Sequence, residues 1–592
     1  MPKVRIPLVG SFNQRGMDAD ATLALAEDQR FKNCVFNVVK NPVTGKASVY
    51  AEKRPGWVQD SLVAAGSPST GMIVPQSFSA NISAFGDTNS TIYFGTTSTG
   101  AITGRAVSFG ETILNSVSYI TIKSSDGTGW YYAEGAHIVT AYTADGNNSV
   151  NITDIKIGGA NSTAGLYPGQ LLAAATNIVA GTRIVSVDAG AFTAVLDTAT
   201  TGGAFADLAI TKTPIAKITD ADFVTTGNPN GAWVEMDGFL FYTDGTNVRN
   251  SDLNSLTSYT STAFKAADMS PDDVVGIARS KNVILVFGTG SLQGFQNAGY
   301  GTGSPLERIA QTFSLVGCQG QSTIATMEND IYFLGSSQYG DVTAWRIRNL
   351  TPSKISPGFV DKIMGTVNAT QGTNYSSAFH MGGEEYLLVT MSSAQEGTTG
   401  NILLESGDAI LLESGDNILL EGNASQDSSF SRQLVYNTEL DIWSEWDASI
   451  ATFVVGQGYG SNNAILATSR FGTAGKIYRV NPAADGNVYT DDGSSYSMEI
   501  RTARIDHGTS ERKFIPCIKL VADTQAAGTA TLECSDDDYG TWKTLGTFDL
   551  TSNHKEIYRC GSYVGGRAYR LTHSYAGPFR AEAIEIEYKI AA

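Results

Sequence analysis

Short apolar runs rich in aromatic and β-branched residues recur along this chain, and a turn signal precedes each of them. Residues 239–242, 283–287 and 331–334 are three such runs, entered through Asp-Gly, Lys-Asn and Asn-Asp. Runs of this length and composition, bounded by turn residues, are typical of β-strands. They return at intervals of about forty to fifty residues, which is the spacing of propeller blades. The pattern therefore predicts a β-propeller.

Further pairs of short runs predict the hairpins of other blades. They are 82–85 with 91–96, 119–123 with 131–133, 434–437 with 443–446, and 464–468 with 476–480. Together these hairpins predict roughly six to eight blades in a single ring. We expect the ring to close by pairing a strand near the N-terminus, either 4–9 or the first hairpin, with the blade at 464–480.

Two segments, 148–212 and 393–430, and both chain ends depart from the blade pattern. Residues 148–212 alternate small, β-branched and Gly residues, which predicts a small β module inserted between blades. Longer strands begin near residue 496 and predict a C-terminal β domain. Residues 34–39 and 47–58 predict the first hairpin, and 18–31 could form a short helix.

The predicted fold class is all-β: a β-propeller with inserted β modules and a C-terminal β domain. The predicted division is 1–60 N-terminal arm and first hairpin, 61–147 first part of the propeller, 148–212 inserted module, 213–392 second part of the propeller, 393–430 acidic repeat loop, 431–495 last part of the propeller, and 496–592 C-terminal β domain.

Composition narrows the possible partners. The 592 residues include 63 Gly and only 40 Lys and Arg, and the net charge is −18. Such a surface is poorly suited to gripping the phosphate backbone, although DNA could pass it without adhering. No apolar run approaches the ~20 residues that span a bilayer, so no membrane-spanning segment is expected. The first residues have no apolar leader region, so no secretory signal is expected.

Residues 401–422 contain a repeat with a period of eight, in which an apolar triplet precedes Glu-Ser-Gly-Asp. No Lys or Arg occurs between Lys362 and Arg432, whereas nine carboxylates do. A charge run of this kind is commonly a solvated loop; the alternative is the lining or tip of a channel. For that channel, the acidic candidates are Glu405, Asp408, Glu413, Asp416 and Glu421, and the apolar gate candidates are Ile402, Leu403, Leu404, Ile410, Leu411, Leu412, Ile418, Leu419 and Leu420.

No catalytic, cofactor or metal site is predicted, and the protein is not expected to be an enzyme. The sequence has no phosphate-binding loop and no nucleophile elbow. The histidines lack metal-ligand spacing: His137, His380, His507, His554 and His573. Asp536, Asp537 and Asp538 could hold a calcium ion, but a solvated turn is the favoured interpretation. The cysteines have an odd count and no C-x-x-C spacing, which indicates small buried side chains: Cys34, Cys318, Cys517, Cys534 and Cys560.

Four pieces between residues 230 and 365 occur in an order that is similar to one protein family. They are S-D-L-N with an aromatic residue downstream (Ser251, Asp252, Leu253, Asn254, Tyr259), S-P-D-x-x-V-G (Ser270, Pro271, Asp272, Val275, Gly276), Phe287-Gly288, and P-x-E-R-I followed by G-C (Pro305, Glu307, Arg308, Ile309, Gly317, Cys318). The stretch resembles the tail nozzle proteins of short-tailed bacteriophages (podoviruses), also called packaged-DNA stabilisation proteins. Lys53-Arg54-Pro55-Gly56-Trp57 also looks like the opening of that family, although neither basic residue is assigned a site.

The resemblance implies a structural virion protein in the phage tail, assembled in the cytoplasm of the host bacterium. It would be a subunit of a ring, a homohexamer, that retains packaged DNA and conducts it during ejection. Implied partners are the head-to-tail adaptor ring, tail fibres or spikes, a tail plug or needle, and double-stranded DNA that passes without sequence-specific binding. No cofactor is implied.

Two further resemblances are weaker. Residues 165–203 resemble a small β module of phage tail fibres and spikes, so the insertion could serve decoration, docking or only spacing. Residues 535–542 look like a degenerate Asp-box, the hairpin turn of sialidase blades, with Tyr539 where the box has Gly. The alternative function is therefore a glycan-binding or glycan-cleaving β-propeller of a phage tail.

Overall fold

Strands make up nearly all the regular structure in the part of the chain that the computed structural model describes. The described residues are 3–9, 29–40, 47–63, 69–73, 84–87, 91–94, 97–102, 106–114, 117–124, 130–134, 142–157, 159–163, 172, 176–179, 182, 184–188, 190–210, 215–223, 232–337, 340–365, 374–392, 431–447, 453–459, 464–468, 476–480 and 488–590. Among them lie one α-helix, α1 (Gly358–Gly365), and a 3-10 turn at Gln321–Thr323.

The first nineteen strands cover the N-terminal third of the chain. They are β1 (Lys3–Pro7), β2 (Arg30–Lys32), β3 (Cys34–Lys40), β4 (Ala47–Lys53), β5 (Val58–Val63), β6 (Ser69–Ile73), β7 (Ala84–Asp87), β8 (Thr91–Phe94), β9 (Thr97–Ala101), β10 (Ala106–Leu114), β11 (Val117–Ser124), β12 (Trp130–Glu134), β13 (Tyr142–Asn147), β14 (Asn151–Ile157), β15 (Ala160–Asn161), β16 (Ile184–Asp188), β17 (Thr193–Leu196), β18 (Ala204–Ile210) and β19 (Ala216–Lys217).

The remaining strands run to the C-terminus. They are β20 (Val234–Met236), β21 (Phe239–Thr243), β22 (Asn247–Ser251), β23 (Tyr259–Ala266), β24 (Val274–Ser280), β25 (Val283–Gly288), β26 (Leu292–Asn297), β27 (Leu306–Ser314), β28 (Ala325–Met327), β29 (Asp330–Gly335), β30 (Thr343–Arg348), β31 (Thr351–Lys354), β32 (Tyr375–Met381), β33 (Glu384–Ser392), β34 (Ser431–Asn437), β35 (Ile442–Trp446), β36 (Phe453–Tyr459), β37 (Ala464–Thr468), β38 (Lys476–Val480), β39 (Thr490–Asp491), β40 (Ser494–Ser495), β41 (Met498–Arg501), β42 (Lys513–Ala522), β43 (Thr529–Ser535), β44 (Lys543–Asp549), β45 (Glu556–Tyr558), β46 (Ser562–Tyr563), β47 (Ala568–His573) and β48 (Arg580–Ile590).

Seven four-stranded antiparallel sets form the blades of a propeller in the described structure. Blade A is β6 to β9, blade B is β10, β11, β12 and β19, blade C is β20 to β23, blade D is β24 to β27, blade E is β28 to β31, blade F is β32 to β35, and blade G is β36, β37, β38 and β5. The first strand of each blade contacts the next blade, and β36 and β37 of blade G contact β6 of blade A. The ring is therefore closed, and the predicted propeller is confirmed.

Blade G is completed by a strand from the N-terminal region. Strand β5 pairs antiparallel with β38, placing Val58 opposite Arg479 and Gln59 opposite Tyr478. The expected joint between the N-terminal region and the last blade exists, but the strand predicted for it was wrong. Strand β1 pairs instead with β48 at the C-terminus, and the first hairpin is held by a second domain.

That second domain consists of two facing sheets and draws strands from both ends of the chain. One sheet contains β1, β3, β4, β48, β42, β45 and β46, and the other contains β2, β41, β47, β43 and β44. Phe36, Ile518, Leu532 and Ile584 are among the side chains buried between them. The N-terminal strands, predicted as a separate arm, are thus part of this two-sheet domain. Phe31 of the expected helix lies in β2, and residues 10–28 lie outside the described residues.

A single sheet runs from the propeller into the two-sheet domain. Strand β2 pairs in parallel with β35, the fourth strand of blade F, at Lys32 and Glu445, and antiparallel with β41 on its other side. This gives a nine-stranded sheet from β32 to β44. Main-chain hydrogen bonds therefore join the two domains directly.

The described strands of the inserted module run from Tyr142 to Ile210. Its first and last strands, β13 and β18, pair with each other, and its six strands enclose their own apolar core. The module lies inside blade B, between the third strand β12 and the fourth strand β19, rather than between two blades as predicted. Because its two ends lie side by side, a blade can accept it without rearrangement.

Candidate functional site

The acidic repeat was the principal site prediction, and every gate candidate from Ile402 to Glu421 lies outside the described residues. Its attachment points are described: β33 ends at Ser392, opposite Ser431 at the start of β34. The repeat thus joins the second and third strands of blade F. In an antiparallel blade this connection lies at the same end as the links between successive blades. We call that end the linker face.

The inserted module is attached at the opposite end of the propeller. It joins the third and fourth strands of blade B, and in a four-stranded antiparallel blade this connection shares an end with the turn between the first two strands. We call that end the turn face. The acidic repeat and the inserted module therefore leave the propeller from opposite faces.

The S-P-D and Phe-Gly pieces of the sequence pattern meet in blade D. Asp272 accepts hydrogen bonds from the Gly290 N–H at 2.8 Å and from the Ser291 hydroxyl at 2.9 Å. A Cβ at Gly288 would lie 2.1 Å from Asp272 Oδ2, so a larger residue would displace the carboxylate that makes these hydrogen bonds. These residues close the turn between β25 and β26.

The downstream pieces join neighbouring blades. Arg308 of blade D donates to the carbonyl of Ala266, the last residue of blade C, at 2.8 Å, and it pairs with Asp268, which follows that blade. The Cys318 N–H donates to the Gly288 carbonyl at 2.9 Å, while the Gly317 N–H donates to the Ser336 carbonyl at 2.9 Å. The pattern that carried the resemblance thus marks the joints between blades C, D and E.

Blades D and E are also joined by an amide side chain that no sequence pattern singled out. Gln321 accepts from the Ile277 N–H at 2.7 Å and donates to the Ile277 carbonyl at 3.1 Å. The amide thereby satisfies both main-chain groups of one residue on the innermost strand of blade D. A glutamine in a linker has no local signal for such a role.

Arg54 forms a buried ion pair between the propeller and the two-sheet domain. Its side chain is fully buried and binds Asp491 through both terminal nitrogens, at 2.9 Å for Nη1 to Oδ1. Its Nε donates to Asn33 Oδ1 at 3.0 Å, and its guanidinium carbon lies 3.9 Å from the centre of the Tyr496 ring. Asp491 Oδ1 also accepts from the Trp57 N–H at 3.1 Å. Planar, bidentate pairing of this kind requires arginine rather than lysine.

Lys53 and His573 lie beside this pair and are also buried. Lys53 donates to the Tyr575 carbonyl at 2.7 Å, and burial lowers its pKa to about 8. His573 stacks on Phe579 with ring centres 4.6 Å apart, and neither ring nitrogen has a hydrogen-bond partner in the described structure. Burial, and then the charge of Lys53, lower the pKa of His573 to about 4. The basic pair before Pro55-Gly56 therefore belongs to a structural junction.

A polar cleft of about 630 Å³ opens next to Asp491, with Lys32, Ser495 and Glu499 among its lining residues. Lys32 pairs with Asp447 at 2.8 Å across it. Its walls come from the end of blade F, the two-sheet domain and the segment between blade G and β41. The cleft is the outer edge of the junction.

The Asp-box-like turn joins β43 to β44 in the two-sheet domain and not in a propeller blade. Asp537 accepts from the Thr541 hydroxyl at 2.6 Å and the Thr541 N–H at 2.9 Å, and these bonds lower its pKa to about 2. Asp536 pairs with Arg567 at 2.7 Å, and Asp538 pairs with Arg504. The three carboxylates have separate partners, which supports a turn rather than a calcium site.

The cysteines are free thiols, and four of the five are buried. Burial raises the pKa of Cys318 and of Cys560 to about 11, so both thiols stay protonated at neutral pH. They fill space in the core, as the sequence indicated. In the described part of the chain, no helix is long and apolar enough to cross a membrane.

Comparison with known proteins adds a family to this geometry. Residues 173–395 match the family model described as bacteriophage P22 Gp10, beta-propeller. This match supports a phage tail protein family and covers blades C, D and E, where the sequence pattern lies. Among curated proteins, none matches the chain.

Solved structures match the chain only at low sequence identity and low TM-score. An exo-beta-1,3-galactanase from Phanerochaete chrysosporium is 7% identical, with 81% of this chain and 95% of that chain covered and a TM-score of 0.18. A Trypanosoma rangeli sialidase mutant displaying trans-sialidase activity is 8% identical, with 94% and 91% covered and a TM-score of 0.24. At these scores the likeness carries no inference about activity.

Proposed function

We propose that the protein is a structural subunit of a phage tail nozzle, a homohexameric ring below the head-to-tail adaptor that retains packaged DNA and conducts it during ejection. The match of residues 173–395 to the phage tail family carries this proposal. The positions of the matching residues support it, because Asp272, Gly288 and Arg308 build the joints of the propeller and no substrate site. A structural subunit needs contacts of this kind, because they hold neighbouring blades in fixed positions.

The join between the two domains also supports a structural role. The nine-stranded sheet and the buried Arg54–Asp491 pair connect the propeller to the two-sheet domain through main-chain and charged contacts. A single stiff subunit suits a tube wall that must withstand the pressure of packaged DNA.

The proposed channel lies between copies of the chain rather than along the axis of one propeller. The innermost strand of blade D, β24, is buried along nearly its whole length. The inner edge of that blade is thus buried and does not present a solvent-facing surface along which a DNA duplex could pass. A ring of several subunits would supply the channel, and the net charge of −18 would keep its wall from holding phosphates.

Within this proposal, the acidic repeat lines or caps the narrow end of the channel. Its attachment to the linker face of blade F, opposite the face that bears the inserted module, supports different roles for the two segments. The carboxylates would keep DNA away from the wall, and the Ile-Leu-Leu triplets would pack against those of the neighbouring subunit. The inserted module would then lie at the outside of the ring.

Electron microscopy of isolated virion tails tests the nozzle. We expect six copies of the chain in one ring directly below the adaptor, and particles that lack the protein should lose DNA after packaging. Copies that project singly from the side of the tail would contradict the proposal. If the copies project singly and the purified protein also binds or cleaves bacterial polysaccharide, the glycan-directed alternative is favoured.

A further inference from the structure

Three potential metal ligands meet on the turn face at the joint between blades E and F. Glu328 lies in the turn between β28 and β29, and His380 and Glu385 face each other across β32 and β33. One ligand atom from each of the three side chains lies within 4.8 Å of the other two. Two adjacent blades therefore contribute to one cluster.

The spacing of the cluster suits a bound ion. His380 Nε2 and Glu385 Oε1 are 3.4 Å apart. A charge-assisted hydrogen bond between such groups is about 2.7–2.9 Å long. Two ligand atoms that each lie about 2.1 Å from a tetrahedral zinc ion are about 3.4 Å apart.

A neighbouring residue fixes the orientation of Glu385. The Thr438 hydroxyl donates to Glu385 Oε2 at 3.2 Å, and the Thr438 N–H donates to the Glu385 carbonyl at 3.1 Å. The Oε1 atom is thereby directed toward His380. Metal-binding carboxylates are commonly oriented by such outer hydrogen bonds.

A second carboxylate cluster in the protein shows what a neutralised cluster looks like. Asp145, Asp154 and Asp207 of the inserted module also lie within ligand distance of one another. Lys156 pairs with Asp154 at 2.6 Å and with Asp207 at 3.1 Å, so its ammonium group supplies the positive charge. In the described structure, neither Glu328 nor Glu385 has a Lys or Arg partner.

We propose that Glu328, His380 and Glu385 bind a divalent transition-metal ion of the zinc type that fastens blade E to blade F. Two carboxylates and a neutral imidazole match the charge and ligand preference of such an ion. Water would complete the coordination, since Glu328 is exposed and the other two side chains are half-buried.

The test is a zinc titration of the full chain after treatment with EDTA and dialysis. Isothermal calorimetry should show one equivalent of bound zinc, and cobalt in its place should give the visible absorption of a tetrahedral site. His380→Ala and Glu328→Gln should each weaken zinc binding by at least about tenfold, as should loss of an orienting group in Thr438→Val. Zinc should also raise the melting temperature of the wild type.

Asp207→Asn is the matched control, because it alters the carboxylate cluster that already holds Lys156, and it should leave the zinc isotherm unchanged. Melting curves in EDTA establish that each variant is folded. The proposal is overturned if the wild type takes up no zinc, or if His380→Ala binds zinc as the wild type does. Loss of binding in His380→Ala with full binding in Glu328→Gln would also overturn the three-ligand site.

Discussion

Arg54 shows how a single buried charge can hold two domains together. Its guanidinium contacts Asn33 of the two-sheet domain, and it contacts Asp491 and the Tyr496 ring in the segment between blade G and that domain. Gly56 allows the backbone to approach Thr490 closely, because a Cβ at Gly56 would lie 2.0 Å from the Thr490 carbonyl oxygen. The junction thus accounts for Arg54 and Gly56 in this stretch.

Arg54→Ala should strongly destabilise the protein, because Asp491 would remain buried without its cation. Removing one partner of a buried pair costs about 3–5 kcal/mol. We expect a correspondingly lower denaturant midpoint in urea unfolding followed by circular dichroism. Replacing both partners, as in Arg54→Met with Asp491→Leu, should recover part of the loss.

Lys476→Ala is the control for that experiment. Lys476 pairs with Asp492 at 2.7 Å, next in the chain to Asp491, but both side chains are about one-third exposed. We expect little change in the urea midpoint. Equal losses from Arg54→Ala and Lys476→Ala would show that burial of the Arg54 pair is not what matters.

His573 should make stability depend on pH between about 4 and 6.5. Its pKa is lowered to about 4 in the folded protein, so in this range the unfolded chain binds a proton that the folded chain does not. The free energy of unfolding therefore falls as the pH falls through this range, by up to about 3 kcal/mol from this group. His573→Phe should reduce the loss between pH 7 and pH 4.5 in urea unfolding.

His554→Gln, at an exposed histidine, should retain the pH dependence of the wild type. The comparison matters because other groups also titrate in this range, including Glu52, whose pKa is raised chiefly by burial. If His573→Phe loses as much stability as the wild type on acidification, another group is responsible.

At the scale of elements, Gly288 and Gly290 provide a matched pair. A Cβ at Gly288 would lie 2.1 Å from Asp272 Oδ2, whereas a Cβ at Gly290 would lie 3.8 Å from the same atom. Gly288→Ala should lower the free energy of unfolding by about 1–3 kcal/mol, as overpacking does. Gly290→Ala should not introduce this clash. Thermal melting of the two variants measures the difference, and equal effects would refute the steric account.

The inserted module should be removable. Replacing residues 142–210 by a short Gly-Ser linker should leave blade B paired, because β13 and β18 lie side by side and the module has its own core. We expect a soluble protein whose far-ultraviolet circular dichroism, normalised per residue, still has the shape of a β-sheet protein. An insoluble product would show that the module is part of the propeller core.

Strands were predictable where turn residues and apolar runs are both local. Residues 239–242, 283–287 and 331–334 became the second strands of blades C, D and E. Strand partners were harder, because β5 reaches β38 and β2 reaches β35 through pairings that no local pattern specifies. The same limit hid the zinc-type cluster, since Glu328 and His380 belong to different blades.

At the scale of the whole molecule, charge reversal in the acidic repeat tests the proposed gate. Replacing Glu405, Asp408, Glu413 and Asp416 by Lys should slow DNA release without preventing assembly, because lysines would hold phosphates by releasing counterions. Release can be followed by dye binding to ejected DNA. The matching Gln and Asn variant removes charge without reversing it and should have a smaller effect. Normal release from the Lys variant, or a repeat found on the outer surface of the tail, would leave a solvated loop as the explanation.

The pairing of β5 with β38 also constrains when the propeller can form. Strand β5 leaves the ribosome early, whereas Lys476–Val480 appears only after most of the chain has been made. At bacterial synthesis rates of ~5–20 residues per second, that wait is on the order of tens of seconds. During this interval β5 has no partner strand, and the edges of the incomplete propeller are open to pairing with other chains. Ring closure is thus a late event in the synthesis of the chain, and cells making many copies would need chaperones or rapid assembly to protect these edges.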